Sequence, residues 1–102
     1  MNTFAALADP TRAGIVEALA DSGQTVSQIV ARFSLSQPSI SRHLRVLREA
    51  GLVSVHPDGQ RRVYRLNPAP LREIDAWLAR YRRFWSGKLD RLERFMDEES
   101  PE

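Results

Sequence analysis

Five polar side chains recur within residues 37–45 at positions that one exposed face of a helix would share. Ser36 can cap such a helix, and Pro38 falls in its first turn, where the missing N–H costs no helical hydrogen bond. Amide and hydroxyl groups can read base edges, and guanidinium groups bind guanine or phosphate. The set therefore indicates a helix laid in the major groove of DNA, with candidate contacts Gln37, Ser39, Ser41, Arg42 and Arg45.

Apolar residues on the opposite face of this segment predict that the helix packs against the core of the domain. Residues 37–50 form a helix that buries positions three and four apart, namely Ile40, Leu44 and Leu47. A preceding helix, near residues 25–33, has an apolar stripe of the same period, and only Ser34 and Leu35 lie between the two helices. We therefore predict a DNA-binding helix-turn-helix over residues 25–50.

A β-hairpin is predicted directly after the second helix. Two runs of residues with high β-propensity, 52–56 and 61–66, flank the turn sequence Pro-Asp-Gly-Gln. A hairpin in this position is a wing, here residues 52–66, and Tyr64 is expected to face the core. The tip of the wing adds two candidate DNA contacts, Arg61 and Arg62.

Two helices are predicted before the helix-turn-helix. Residues 3–8 begin a short apolar helix, and Asp9-Pro10 has the pattern of an N-cap followed by the first residue of a second helix that ends near Ala20. The fold class that follows is mainly α with a small β-hairpin.

The final segment, after the break at residues 67–70, carries apolar residues at three- and four-residue steps. We predict one long helix over residues 71–98, about 40 Å long. A domain of this size has a radius of gyration of about 13 Å, so its own body cannot cover the whole stripe. A second copy in a two-fold homodimer is the commonest solution. The stripe includes an aromatic cluster that could instead form an effector pocket: Trp77, Tyr81, Phe84 and Trp85.

Composition and charge limit the function classes. The 102 residues suit a single domain, residues 1–102, and the absence of cysteine excludes disulfides and thiolate metal sites. No apolar run could span a bilayer and no signal peptide begins the chain, so we expect a cytoplasmic protein. Net charge is +2 overall but +5 over residues 32–65, as expected of a polyanion binder. No catalytic set or cofactor motif appears, so we expect no enzyme activity and no cofactor.

Three motifs resemble the arsenical-resistance-regulator (ArsR-type) family of bacterial winged-helix repressors. They are ALADPTRAGIVEAL (6–19), LSQPSISRHLRVLREAGLV (35–53) and GQRRVYRL (59–66). The resemblance implies a homodimer formed by the N- and C-terminal helices, an imperfect palindromic operator, and repression that an inducer lifts. It implies dimer contacts at Phe4, Leu7, Trp77, Leu78, Tyr81, Trp85, Leu89 and Leu92.

The chain departs from metal-sensing relatives at both of their metal sites. Where those relatives place Cys-x-Cys, residues 25–28 read Thr-Val-Ser-Gln, and Asp75 lacks the histidine of an Asp-x-His pair. The two histidines, His43 and His56, do not complete a metal site. The chain is therefore similar to the metal-free branch, which includes autorepressors and regulators that answer to a partner protein or an organic ligand.

The sequence thus predicts a homodimeric repressor that binds double-stranded operator DNA and does not sense metal. An unknown small molecule or protein could act as its inducer. One alternative is a winged-helix module for protein–protein interaction, because a fold does not fix a function. The other is a regulator that an organic ligand or a partner protein releases at the C-terminal helix.

Overall fold

The computed structural model describes residues 2–85 together with Gly87, Arg91 and Arg94. The elements in chain order are helices α1 (Asn2–Leu7), α2 (Pro10–Asp21), α3 (Val26–Phe33) and α4 (Gln37–Glu49), strands β1 (Val53–Asp58) and β2 (Arg61–Leu66), helix α5 (Ala69–Ala79) and a 3₁₀ turn (Arg82–Phe84). The predicted fold class, mainly helical with one hairpin, is confirmed. The chain divides into two compact units, one up to Leu71 and one from Arg72 onward, and the single domain over residues 1–102 stays a prediction.

Local capping fixes both helices of the helix-turn-helix. The Thr25 hydroxyl accepts the Gln28 N–H at 3.3 Å, and the Gln28 side chain accepts the Thr25 N–H at 2.8 Å, which is a complete capping box. Ser34 ends α3 in the left-handed region with φ +56°. Ser36 then caps α4, because its hydroxyl accepts the Ser39 N–H at 3.3 Å. The turn and both helix starts therefore lie where the sequence predicts them.

The end of α4 is a Schellman motif built around Gly51. The Gly51 N–H donates to the Arg48 carbonyl and the Leu52 N–H donates to the Leu47 carbonyl, both at 2.9 Å. Gly51 has φ +78°, which a residue with a Cβ adopts only with strain. This motif turns the chain sharply from α4 into the wing.

The core of the first unit lies between α2, α3 and α4, with one side of the hairpin closing it. Its fully buried side chains come from every one of these helices and from the start of the wing: Ile15, Ile29, Ile40, Leu44, Leu47 and Leu52. Tyr64 also packs in this core, as its place in β2 predicts. The apolar face of α4 is thus buried, and its opposite face is left toward solvent.

The wing hairpin is tighter than the sequence predicts. Strand pairing runs from Val53↔Leu66 to Asp58↔Arg61, so only two residues, 59 and 60, form the turn instead of four. Gly59 has φ +64° at the first turn position, which favours glycine in two-residue hairpins. Pro57 stays within β1 because the outer edge of that strand needs no N–H donor from it.

A third segment pairs with the wing, and the sequence did not predict it. The Gln24 N–H donates to the Tyr64 carbonyl at 2.9 Å, and the Tyr64 N–H donates to the Gln24 carbonyl at 2.7 Å. The buried Gln24 amide also donates to the Ala18 carbonyl at 3.2 Å. A Cβ on Gly23 would lie 2.7 Å from the Val63 side chain, so this close approach requires glycine. The wing is therefore anchored to the α2–α3 connection.

The prediction of one continuous helix over residues 71–98 is wrong. Helix α5 begins two residues earlier than predicted and ends at Ala79. Hydrogen bonds between residues three apart follow it. The Tyr81 N–H donates to the Leu78 carbonyl and the Phe84 N–H donates to the Tyr81 carbonyl, both at 2.9 Å. Apolar spacing of three suits a 3₁₀ turn as well as an α-helix, so periodicity alone did not reveal the break. The predicted contacts Leu89 and Leu92 lie outside the described residues.

The N-cap of α2 carries a testable pH dependence. The Asp9 carboxylate accepts the Arg12 N–H at 3.1 Å and the Thr11 N–H at 2.8 Å. These N–H groups, that of Arg12 above all, hold the pKa of Asp9 below its usual value of 3.8. We expect Asp9→Ala to lower the urea midpoint at neutral pH. Because the folded-state pKa is depressed, this deficit should vanish as the pH falls below 3.8 through that pKa.

Asp9→Asn is the matched control for this effect. The amide oxygen still accepts the two N–H groups but has no proton to gain over this range. Urea unfolding followed by circular dichroism between pH 2 and pH 7 distinguishes the three chains. A deficit of Asp9→Ala that persists unchanged at pH 2 would contradict the assignment of the cap.

Candidate nucleic-acid interface

The solvent-exposed face of α4 is polar and runs the length of the helix. Residues four apart share a helix face, and buried apolar residues occupy the opposite side. Four of the five residues that the sequence singles out in α4 lie on this exposed face: Gln37, Ser41, Arg42 and Arg45. We call these four residues the recognition face.

Ser39 lies apart from the recognition face. It is only half-exposed, and its hydroxyl accepts a hydrogen bond from the Ser36 hydroxyl at 3.0 Å. Its hydroxyl belongs to the capping turn, and the contact of Ser39 with DNA stays a prediction.

The two arginines of the recognition face hold positive charge that no side chain in the described part of the chain pairs with. Neither Arg42 nor Arg45 has an ion-pair or hydrogen-bond partner among the residues that the structure describes. Both side chains are exposed. A planar guanidinium can bind phosphate or the edge of guanine through two hydrogen bonds at once. The chemistry of the recognition face thus suits a polyanion.

The wing places two more exposed arginines beside its turn. Arg61 is paired across the hairpin with Asp58, with 3.7 Å between Arg61 Nη2 and Asp58 Oδ2. These side chains are 67% and 66% exposed, so the pair contributes little to stability and can open when a stronger anion approaches. Arg62 has no ion-pair partner among the described residues. The sequence did not predict the Asp58 pair because the hairpin register sets it.

A groove connects the wing with the start of α3. Its volume is about 450 Å³, and its lining residues are Thr25, Val26, Ser27, Gln28, Arg61 and Arg62. The first helix of a helix-turn-helix crosses the DNA backbone, so this groove lies where phosphates would pass. Ser27 also lines this groove, and nothing local in the sequence marks it as a candidate contact.

The histidines have neighbours within the protein. His43 is half-buried on the flank of α4, with its Nδ1 atom 3.4 Å from Arg12 Nη1. His56 Nε2 lies 2.9 Å from the Ser54 hydroxyl. Within the described part of the chain, no three His, Asp or Glu side chains come together as a metal site. Independence from metal stays a prediction.

The aromatic cluster of the second unit is exposed. Trp77, Tyr81, Phe84 and Trp85 are 37% to 57% exposed and line, with Leu78, an open apolar cavity of about 470 Å³. The ring centroids of Trp77 and Tyr81 are 5.1 Å apart, and those of Tyr81 and Phe84 are 6.2 Å apart. This is a large apolar surface for so short a segment, of the kind that marks a binding site.

The predicted dimer contacts on α1 differ from each other. Phe4 is 46% exposed, whereas Leu7 is half-buried and packs against the core of its own unit. Phe4 therefore remains a candidate contact, and Leu7 already has a structural role.

An exposed polar helix in a helix-turn-helix, followed by a basic wing, defines a winged helix-turn-helix DNA-binding protein. The family model described as "Bacterial regulatory protein, arsR family" matches residues 9–55. The chain belongs to this family. It is a DNA-binding transcriptional regulator of the repressor type and not an enzyme.

Three similar proteins support this assignment. The transcriptional repressor SdpR of Bacillus subtilis is 38% identical over 80 residues, which cover 78% of this chain and 89% of the relative. The HTH-type transcriptional regulator Rv2034 of Mycobacterium tuberculosis is 40% identical over 94 residues, 92% of this chain and 85% of the relative. A possible transcriptional regulator for arsenical resistance, known from its crystal structure, has 41% sequence identity with this chain. The two structures superpose with a TM-score of 0.70 over 92% of this chain and 95% of that one. No helix in the described part of the chain is long and apolar enough to cross a membrane.

Proposed function

We propose that this protein is a homodimeric repressor that binds an imperfect palindromic operator through the recognition face and does not sense metal. The observation that carries the proposal is the pair of uncompensated arginines, Arg42 and Arg45, on the exposed face of α4. Gln37 and Ser41 lie in the same face and supply groups for base edges. Arg61 and Arg62 bind the flanking backbone or the minor groove through the wing. The proposed complex forms in the cytoplasm, where chromosomal DNA is accessible.

The proposed dimer is supported by the exposed aromatic cluster and by Phe4. Burying rings of this size removes a large apolar area from water, which drives association. A two-fold dimer would present two α4 helices to half-sites about 34 Å apart, one turn of DNA. An imperfect palindrome is the operator that matches this symmetry.

The proposed release from DNA follows from two features of the chain. It has no cysteine, so a thiolate metal site cannot be the switch. The second unit has an apolar cavity of about 470 Å³ that would suit an aromatic or aliphatic organic compound. An organic ligand or a partner protein that occupies this surface is therefore the candidate signal for release from DNA.

A binding titration tests the proposal. Fluorescence anisotropy with the DNA upstream of its own gene, and with a scrambled duplex of equal length, should give tighter binding to the former. The logarithm of its association constant should fall with the logarithm of salt concentration by about 0.9 for each phosphate neutralised. Sedimentation should give two chains per operator. Equal affinity for both duplexes, or no binding, would favour a protein-interaction module instead.

A further inference from the structure

Arg12 connects three helices of the first unit with one side chain. Its Nε donates to the Ala6 carbonyl at 2.7 Å and its Nη2 donates to the Ala5 carbonyl at 3.3 Å, both in α1. Its Nη1 lies 3.4 Å from His43 Nδ1 in α4. Arg12 itself belongs to α2, where Asp9 accepts its backbone N–H. We call this set of contacts the Arg12 clamp.

The clamp gives α1 its C-terminal cap. This helix has six residues, too few to be stable in isolation, and the last carbonyls of any helix lack partners within it. A guanidinium supplies both the missing donors and a positive charge at the negative end of the helix. Arg12 therefore helps to hold α1 against the domain, together with the buried side chains Thr3 and Ala6.

The same guanidinium fixes one flank of α4. Arginine has donors but no acceptor, so a hydrogen bond between Arg12 and His43 needs the tautomer with a lone pair on Nδ1 and the proton on Nε2. His43 lies between Arg42 of the recognition face and the buried Leu44. This contact ties one flank of α4 to α2, in addition to the buried side chains Ile40, Leu44 and Leu47 that pack the helix.

We propose that Arg12 is a positioning residue that couples the N-terminal helix to the recognition face. Helix α1 carries Phe4, the candidate contact for a partner subunit. A displacement of α1 pulls on the Arg12 guanidinium, and the guanidinium in turn shifts the flank of α4 that carries His43. The proposal rests on the proposed DNA-binding function. The ALADPTR segment, residues 6–12, lies outside the recognition face. Through Arg12, this segment would help to set operator affinity.

Arg12→Lys tests the clamp because lysine keeps the charge but lacks the planar fork that reaches three acceptors. We expect Arg12→Lys and Arg12→Ala to weaken operator binding by roughly 3- to 30-fold, with a smaller loss on scrambled DNA. Arg32→Ala, which removes one exposed arginine beside Glu17 and Asp21, is the control and should leave the preference for operator unchanged. If Arg12→Ala does not fold, the operator affinity of Arg12→Lys decides the test.

A second readout separates positioning from stability. Nitrogen-15 NMR of the His43 ring should show one tautomer in the parent protein and a mixture in Arg12→Lys. In a His43→Ala background, Arg12→Lys should cost little further operator affinity. Full operator affinity in Arg12→Lys, or a ring signal that does not respond to it, would overturn the proposal. Absence of operator binding by the parent protein would refute the proposed function instead, and the ring signal would still decide whether the clamp holds α4.

Discussion

Replacing Arg42 with alanine is expected to weaken operator binding roughly 5- to 150-fold, the loss of one bidentate contact to a guanine. Arg42 is exposed near the centre of the recognition face and has no partner among the described residues, so its removal should disturb the free protein little. Binding to scrambled DNA should fall much less, because phosphate contacts are shared among several arginines. Anisotropy titrations against both duplexes at one salt concentration measure the two losses.

Arg32→Ala is the matched control for Arg42→Ala. Both changes remove one exposed guanidinium from the helix-turn-helix, but Arg32 lies in the last turn of α3, where it lines a groove with Glu17 and Asp21. Its loss should alter operator affinity by less than about twofold at moderate salt. Equal losses on operator and scrambled DNA for Arg42→Ala would mean that Arg42 touches only phosphate.

Replacing Leu47 with alanine is expected to destabilise the first unit by about 2–5 kcal/mol. Leu47 is 0% exposed on the inner face of α4, so the substitution leaves a cavity beneath the recognition helix. Alanine is the best helix former, so the loss measures packing and not helix propensity. Because small domains have a total stability of about 5–15 kcal/mol, the urea midpoint should fall markedly.

Val46→Ala provides the comparison at the neighbouring position. Val46 is 36% exposed, and its truncation should change the free energy of unfolding by less than about 0.5 kcal/mol. Urea unfolding monitored by circular dichroism gives both values, because the helices of the first unit dominate that signal. If Leu47→Ala lowered the free energy of unfolding by less than about 1 kcal/mol, α4 would not be packed as described.

The sequence by itself determined the helix-turn-helix and its polar face. Caps such as Thr25 with Gln28, and Ser36 before α4, are local interactions within four residues, and the apolar period of α4 assigns each side chain to one side. The same logic gave the wing, because Gly59 and its neighbours encode a turn. These features follow from propensity and periodicity, which neighbouring residues set without the rest of the chain.

Only the tertiary structure decided which distant residues meet. The pairing of Gln24 with Tyr64 and the Arg12–His43 contact depend on how the helices and strands pack. Even between residues three apart, the opposition of Asp58 to Arg61 depends on the hairpin register. The break after Ala79 also escaped the sequence, since three-residue spacing suits both kinds of helix. A linear pattern specifies which face of an element is apolar, but packing selects the neighbour that each face receives.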